Sequence, residues 1–158
     1  MATDNYFMFY TVKLAKAAGK AGNLPIGAVI ALNGEIIAEG QNRLYTPVLN
    51  PGRHAEIDAL MNVDPTLWDR ASEMVLYTTL EPCLMCLSTI LLHHIGRVVY
   101  GAEDPRGGAL CVVGHMPPSF EKFYTELKME GPVMPEECDQ LFRQAADIIE
   151  ARLAKGIY

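Results

Sequence analysis

The chain has 158 residues, half of them apolar, which suits one domain with a substantial core. Its 13 lysines and arginines stand against 19 aspartates and glutamates, and the net charge of −6 disfavours a partner bound mainly through its phosphates. The sequence has no run of about 18 apolar residues and no basic, apolar leader, so neither a membrane partner nor a signal peptide is expected. The four cysteines fit a cytoplasmic location better than a disulfide framework.

Hydrophobic periodicity and turn residues predict an alternation of helices and strands. Asn33-Gly34 between two apolar runs predicts a type I′ hairpin, and Pro135 followed by Glu136 predicts the start of a C-terminal helix. In chain order the predicted elements are a helix at 6–21, strands at 26–32 and 35–39, a loop at 41–53, a helix at 54–63, a strand at 74–79, a helix at 83–94, a strand at 97–101, a loop at 102–119, a strand at 127–133 and a helix at 135–155.

The strand–helix–strand unit in the middle of the chain predicts a parallel crossover. The fold class expected from this order is α/β, a three-layer α/β/α sandwich around one mixed five-stranded sheet.

Two short motifs carry the clearest functional signal. His54 and Glu56 lie two positions apart, and Pro82 precedes the pair Cys83 and Cys86. One imidazole and two thiolates supply three zinc ligands and leave the fourth tetrahedral position to water, as in catalytic zinc sites. Glu56 is the candidate for moving protons on and off that water. This H-x-E…P-C-x-x-C arrangement is typical of zinc deaminases that act on nucleobases, so we expect residues 1–158 to form a single zinc-dependent deaminase domain.

Each motif alone has other interpretations. A C-x-x-C pair also occurs in redox dithiols and in structural zinc sites, and an H-x-E triplet is often an exposed helix face. A four-cysteine zinc site would need a second close pair, but Cys111 and Cys138 are far apart in the sequence. A redox pair would leave His54 and Glu56 unexplained. A zinc-bearing RNA-binding module without activity is a further alternative, although a purely structural site has no use for Glu56.

The spacing within the motifs predicts how they meet. Residues at i and i+2 diverge by about 200° inside a helix, so His54 and Glu56 can serve one metal only if it lies beyond the helix tip. Cys83 and Cys86 would sit in the first turn of another helix, where free amides favour thiolates. Two helix N-termini should therefore point at a common zinc. Because two thiolates nearly neutralise Zn²⁺, the attacking water needs Glu56 as its base, and ammonia is the expected leaving group.

At these residues the chain resembles the cytidine-deaminase-like superfamily, in the branch that holds bacterial tRNA adenosine deaminases, guanine deaminases and fungal cytosine deaminases. The resemblance implies the fold above, one zinc ion with a bound water per chain, and a homodimer. It also implies that Asn42 hydrogen-bonds to the substrate base and that the backbone around Glu56 and Cys83 positions it, which makes Ala55 and Pro82 substrate-binding candidates. The similar segments extend over essentially the whole length, at 25–29, 40–43, 54–57, 79–86 and 95–102.

Departures from the tRNA deaminases bear on the substrate. Segment 104–115 lacks their small-residue stretch ending in Gly-Ser, residues 136–158 are net acidic, and the chain ends in Tyr158 as guanine deaminases end in tyrosine. These features favour hydrolytic deamination of a small-molecule nucleobase or nucleoside of the guanine, cytosine or adenine type. The alternative is a tRNA-specific adenosine deaminase acting at the wobble position, with tRNA as its partner.

Some residues outside the motifs are also candidates for a role at the site. The 102–119 loop, with His115, is a plausible lid over the base. Arg53 and Arg106 are candidates for a phosphate or ribose contact. Cys111 and Cys138 are expected to be half-buried thiols, and the apolar run 90–92 is expected to face the core or a dimer partner.

Overall fold

A five-stranded mixed sheet forms the middle layer of the computed structural model, which describes residues 3–157. The strands lie in the spatial order β2-β1-β3-β4-β5, with β1 antiparallel to β2 and β3, and β4 parallel to β3 and β5. This confirms the expected sheet. The strands are β1 (Gly27–Leu32), β2 (Glu35–Gln41), β3 (Val75–Leu80), β4 (Arg97–Ala102) and β5 (Lys128–Glu130).

Helices cover both faces of the sheet. The α-helices are α1 (Asp4–Lys20), α2 (Ala55–Met61), α3 (Leu84–Leu92), α4 (Pro118–Glu126) and α5 (Pro135–Leu153), and two 3₁₀ helices span Pro65–Glu73 and Ala109–His115. None of the described helices is long and apolar enough to cross a membrane.

The alternation of side chains along β1 shows how the three layers are held together. Ala28, Ile30 and Leu32 belong to the core cluster shared with α2 and α3, while Val29 and Ala31 belong to the cluster shared with α1 and α5. Every residue of β1 is buried, because successive side chains point to opposite faces and each face is covered by helices. The sandwich prediction is therefore confirmed.

The hairpin between β1 and β2 forms as predicted. Asn33 and Gly34 have φ values of 55° and 83°, the positive angles that a type I′ turn requires at both central positions. The turn aligns β2 against β1 so that Gln41 pairs with Gly27. The loop that follows β2 therefore begins at the same end of the sheet as the start of β1.

The prediction was wrong in the region after β4. The segment 102–119 is not a plain loop, since it contains the 3₁₀ helix Ala109–His115, and α4 was not predicted. Pro117-Pro118 suggests a loop, yet proline is also favoured at the first position of a helix, where its missing amide hydrogen costs nothing. Phe120 and Phe123 on α4 pack against the core, which stabilises a helix with weak sequence signals. The last strand has only three residues rather than the predicted seven.

Candidate active site

His54 and Cys83 occupy equivalent positions at the tips of two helices. His54 is the N-cap of α2 and Cys83 is the N-cap of α3, both with extended backbone, and neither side chain caps its helix. Both helices therefore start one residue later than predicted. The imidazole and the thiol project beyond the helix tips, and Cys86 in the first turn of α3 lies beside them. The expected convergence of two helix N-termini on one point is confirmed.

The donor atoms are spaced as ligands of a single metal ion. His54 Nδ1 lies 3.6 Å from Cys83 Sγ and 3.5 Å from Cys86 Sγ. A tetrahedral zinc ion about 2.1 Å from a histidine nitrogen and about 2.3 Å from a sulfur separates those two atoms by about 3.6 Å. The donor set and its spacing thus fit zinc. Within residues 3–157, this is the one cluster of histidine, cysteine and acidic side chains close enough to bind a metal.

The two thiols differ in their affinity for a proton. The hydrogen bond with Cys86, reinforced by one with His54, lowers the pKa of Cys83 to about 4 in spite of burial. The same hydrogen bond, together with burial and the nearby Glu56, raises the pKa of Cys86. The pair therefore shares one proton, which a bound zinc ion would displace because metal ligation requires both thiolates.

Glu56 places a buried carboxyl group directly beside the cysteines. It is the second residue of α2 and is 3% exposed. Its Oε1 accepts a hydrogen bond from Thr78 Oγ1 at 3.2 Å, and its Oε2 lies 3.4 Å from the Cys86 thiol that donates to it. Burial raises the pKa of Glu56, which suits the proton-transfer role that the sequence predicts for it.

Thr78 was missed by the sequence analysis. It lies on β3, is fully buried and is the polar partner of Glu56. The sequence does contain a signal for it, because two consecutive threonines stand in a strand whose other residues are apolar. A buried hydroxyl group needs a hydrogen-bond partner, so a threonine in such a strand indicates a polar group packed against it.

Asn42 presents an unpaired donor beside the same site. It follows β2 and is 1% exposed, and its Oδ1 accepts a hydrogen bond from the Leu44 amide at 3.1 Å. Its Nδ2 is buried and has no hydrogen-bond partner among the described residues. Buried donors are nearly always paired, so this amide is available to a ligand.

A cavity of about 120 Å³ brings these groups together. Asn42, His54, Glu56 and Cys83 contribute to its wall. A second cavity of about 280 Å³ adjoins it and shares His54. The remaining residues of the first cavity are Leu24, Ile26, Leu80, Glu81, Asp104 and Ile149. Those of the second are Leu24, Leu44, Tyr45, Ile149, Arg152, Leu153 and Ile157, so α5 and the chain beyond it border the approach to the site.

The other two substrate-binding candidates lie behind the cavity rather than on it. Ala55 is fully buried at the first position of α2, and Pro82 is also buried. The carbonyl of Pro82 accepts a hydrogen bond from the Ala109 amide at 3.0 Å. Neither residue is among those that line the cavity, so their contact with substrate stays a prediction.

Of the segment 102–119 and the two candidate arginines, only Asp104 is brought to the cavity. His115 is exposed at the end of a 3₁₀ helix and lines neither cavity. Arg53 forms a salt bridge with Asp58 at 3.2 Å, and Arg106 forms one with Glu150 at 3.2 Å. These two cations are therefore occupied by carboxylates of the chain itself.

The two remaining cysteines differ in burial, and so do the residues of the apolar run 90–92. Cys111 is exposed and Cys138 is fully buried, so the expectation that both are half-buried was wrong. Cys138 packs against Gly101 at the centre of the α1–α5 side, whereas Cys111 lies on a surface 3₁₀ helix. In the run 90–92 the first two residues are in the core and Leu92 is exposed. Tyr158 lies outside the described residues.

Three comparisons with known proteins agree with this site. A tRNA-specific adenosine deaminase from Bacillus subtilis is 36% identical over 140 residues, which cover 87% of this chain and 85% of that protein. One solved structure superposes on this chain with a TM-score of 0.72 and 32% identity. It comes from biochemical and structural studies of A-to-I editing by tRNA:A34 deaminases at the wobble position of transfer RNA. It covers 86% of this chain and 98% of that one. The guanine deaminase from Bacillus subtilis has a TM-score of 0.59 and 38% identity, covering 65% of this chain and 66% of that one.

The family assignment follows from the segment that carries the metal cluster. The family model of the cytidine and deoxycytidylate deaminase zinc-binding region matches residues 1–102, which include His54, Glu56, Cys83 and Cys86. The model, the relatives and the geometry of the three donor atoms indicate the same chemistry, a hydrolytic deamination with one zinc ion per chain. The chain belongs to the zinc-dependent cytidine and deoxycytidylate deaminase family.

Proposed function

We propose that this single domain is a tRNA-specific adenosine deaminase that converts the wobble adenosine of a tRNA to inosine. The observation that carries the proposal is similarity along almost the whole chain to proteins of that name, at 36% identity over 87% of the chain. The guanine deaminase from Bacillus subtilis, at 38% identity, matches 65% of the chain. The preference for a free base or nucleoside, which the sequence departures favoured, is thereby replaced by its alternative.

The proposed reaction assigns a role to each group in the cavity. His54, Cys83 and Cys86 would hold the zinc ion, which would supply an activated water for attack on the C6 carbon of adenine. Glu56 accepts a proton from the attacking water and passes it to the ring nitrogen N1. It then takes the proton of the hydroxyl group added at C6 and passes it to the amine, so that the C6–N bond breaks, the C6 carbonyl forms and ammonia leaves. Burial of Glu56 supports this role, because a carboxyl pKa raised toward the working pH suits a group that both accepts and donates a proton. The products are inosine in the RNA and one ammonia.

Asn42 is proposed to orient the base. Its Nδ2 donates to an acceptor on the ring edge, since it is the buried donor in the cavity without a partner in residues 3–157. The Leu44 amide holds the other end of the side chain, so the donor is already aimed before the substrate binds.

The surface charge is less unfavourable to RNA than the total suggests. Lys13, Lys16 and Lys20 are exposed on one face of α1, at spacings of three and four residues. Lys16 and Lys20 line a surface cavity with Pro25, which precedes the cavity residue Ile26. Phosphate binding depends on such local cationic surfaces rather than on the sum over the chain, so a net charge of −6 is compatible with an RNA substrate.

The decisive experiment compares substrates with the zinc-loaded protein. An anticodon stem-loop with adenosine at the wobble position is tested beside free adenosine, guanine and cytosine, with inosine and ammonia as readouts. The matched control is the same stem-loop with guanosine at that position. We expect inosine only in the adenosine stem-loop. Fast turnover of a free base with a silent stem-loop would overturn the proposal, and turnover of guanine in particular would favour the activity of the structurally similar guanine deaminase.

We also infer that two copies of the chain form a homodimer through α2 and α3. The resemblance implies a dimer, and these adjacent helices expose four large apolar side chains, which are Met61, Leu84, Met85 and Leu92. Sedimentation analysis should give a dimer for the natural chain and a monomer for Leu92→Lys. The control is Val48→Lys, an exposed loop position that should remain dimeric. A monomeric natural chain at micromolar concentration would contradict the inference.

A further inference from the structure

Glu81 is a buried carboxylate next to the zinc site to which the proposed reaction gives no role. It lies between β3 and Cys83 and is 7% exposed. It lines the cavity of about 120 Å³ that also contains His54, Glu56 and Cys83, which we call the zinc cavity. Its Oε2 accepts a hydrogen bond from the Asp104 amide and its Oε1 accepts one from the Leu110 amide, both at 3.0 Å. One side chain therefore holds both ends of the segment 104–110.

The same segment is joined to the cysteine motif through the backbone. Gly108 forms an isolated antiparallel bridge with Cys83. The Ala109 amide donates to the carbonyl of Pro82 at 3.0 Å. Segment 104–110 and residues 81–83 thus run side by side, and Glu81 supplies the side-chain contacts of this pairing while the backbone supplies the rest.

The packing at Gly108 leaves no room between the two segments. A Cβ atom added to Gly108 would overlap the carboxyl group of Glu81. The glycine lets the segment approach closely enough for both amide hydrogen bonds to form. Asp104 at the start of the segment lines the zinc cavity, so the position of this wall depends on the Glu81 contacts.

We propose that Glu81 is a positioning residue that fixes segment 104–110 as one wall of the substrate cavity. It acts through the backbone of Asp104 and Leu110 and does not contact the reacting atoms. Hydrogen bonds from amides to a carboxylate are stronger than those between neutral groups, which suits a segment without an α-helix or strand of its own. The kinetic part of its test uses the stem-loop substrate and so rests on the proposed function.

The first test is Glu81→Gln, which keeps the size of the side chain but turns one oxygen into an amide group facing a backbone amide. We expect normal zinc content and a KM for the stem-loop raised by about tenfold or more, with a smaller change in kcat. Hydrogen exchange of the Asp104 and Leu110 amides should accelerate. The matched control is Glu103→Gln, an exposed glutamate in the same stretch, which should leave all three readouts unchanged.

A second variant perturbs the same contact from the other side. Gly108→Ala should reproduce the raised KM and faster amide exchange, because its methyl group separates the segment from Glu81. Gly114→Ala is the control, since a Cβ there meets no atom within 4 Å. The proposal is overturned if Glu81→Gln, with its zinc retained, keeps KM within twofold of the natural value, or if its losses follow zinc loss alone.

Failure of the proposed function would be recognised separately. If the natural protein does not deaminate the stem-loop, the tRNA proposal fails, and Glu81 is then judged by amide exchange of the zinc-loaded protein. Faster exchange confined to segment 104–110 in Glu81→Gln and Gly108→Ala supports the positioning role. Unchanged exchange there in both variants overturns it.

Discussion

The hydroxyl of Thr78 lies 3.2 Å from Oε1 of Glu56, and both side chains are almost completely buried. Thr78 belongs to β3 and Glu56 to α2, so this hydrogen bond joins the sheet to the helix that carries the candidate proton carrier. The Cys86 thiol faces the other carboxyl oxygen at 3.4 Å. The orientation of Glu56 is therefore determined by contacts from two other elements.

Replacing Thr78 by valine should reduce turnover without unfolding the protein. Valine has nearly the same shape but cannot donate to Glu56, and the loss of a hydrogen bond to a carboxylate costs about 1.5–3 kcal/mol. We expect kcat to fall by about tenfold or more with zinc content unchanged, as measured by inosine formation and metal analysis. Thr78→Ser keeps the hydroxyl and should retain most of the activity. Equal losses in both variants would point to packing instead.

Glu56→Gln should bind zinc and lose nearly all turnover. The amide keeps the size of the side chain but cannot accept a proton, and general acid–base catalysis contributes about 10²–10⁴-fold. Metal analysis and single-turnover inosine formation would be measured on the same preparation. Retained activity in the zinc-loaded variant would remove Glu56 from the proton-transfer role. Loss of zinc together with activity would instead show that Glu56 helps to hold the metal.

Asn42→Asp separates the two functions of the asparagine side chain. The aspartate keeps an oxygen for the Leu44 amide, so the local loop should be preserved, but it lacks the unpaired Nδ2 donor. We expect kcat/KM to fall by about tenfold to a hundredfold, because the donor to the base is replaced by an acceptor. Thermal unfolding would be followed in parallel. A variant with natural kcat/KM would exclude Asn42 from base recognition.

The ion pair between Asp4 and Arg97 predicts a loss of stability in acid. Arg97 donates two hydrogen bonds to Asp4 at 2.8 Å each and lowers the pKa of its carboxyl group below the usual value, while burial opposes the shift. The folded state thus binds this proton less readily than the unfolded chain. The contribution is complete above about pH 5 and disappears as the pH falls through the lowered pKa.

Asp4→Asn should accordingly lower the free energy of unfolding at pH 7 by about 0.5–1 kcal/mol, a value reduced by the partial exposure of the pair. The difference from the natural chain should shrink toward zero near pH 3, as measured by denaturant unfolding at both pH values. Asp147→Asn, at an exposed position on α5, serves as the control. A difference that persists at low pH would show that Asp4 acts through something other than its charge.

Gly40→Ala should destabilise the protein and weaken zinc retention together. A Cβ at Gly40 would overlap the carbonyl oxygen of Ala55 and the amide nitrogen of Ala59, so β2 packs directly on the backbone of α2. Overpacking of this kind costs about 1–3 kcal/mol. The shift of α2 would also move His54 at its tip. Thermal unfolding and competition with a chelator would measure both effects, with Gly114→Ala as the reference for an unhindered position.

Most of the architecture was predictable because its signals are local. The apolar run that forms the fully buried strand β1, the Asn33-Gly34 turn and the Pro135 helix start each depend on a few consecutive residues, and all three are present. Helix α4 was not predictable in the same way. It has no buried residue, and its aromatic side chains stabilise the helix only because they pack against the core formed by the sheet and α3.

The sequence by itself predicted the chemistry, because the types and order of His54, Glu56, Cys83 and Cys86 are typical of a catalytic zinc site and of hydrolytic deamination. Tertiary structure decided what surrounds those groups. It brings Thr78 to Glu56, leaves one amide hydrogen-bond donor of Asn42 unpaired in a buried cavity, and ties segment 104–110 to Glu81. These contacts join residues far apart in the chain, and hydrogen bonds between such residues depend on packing that no local pattern encodes.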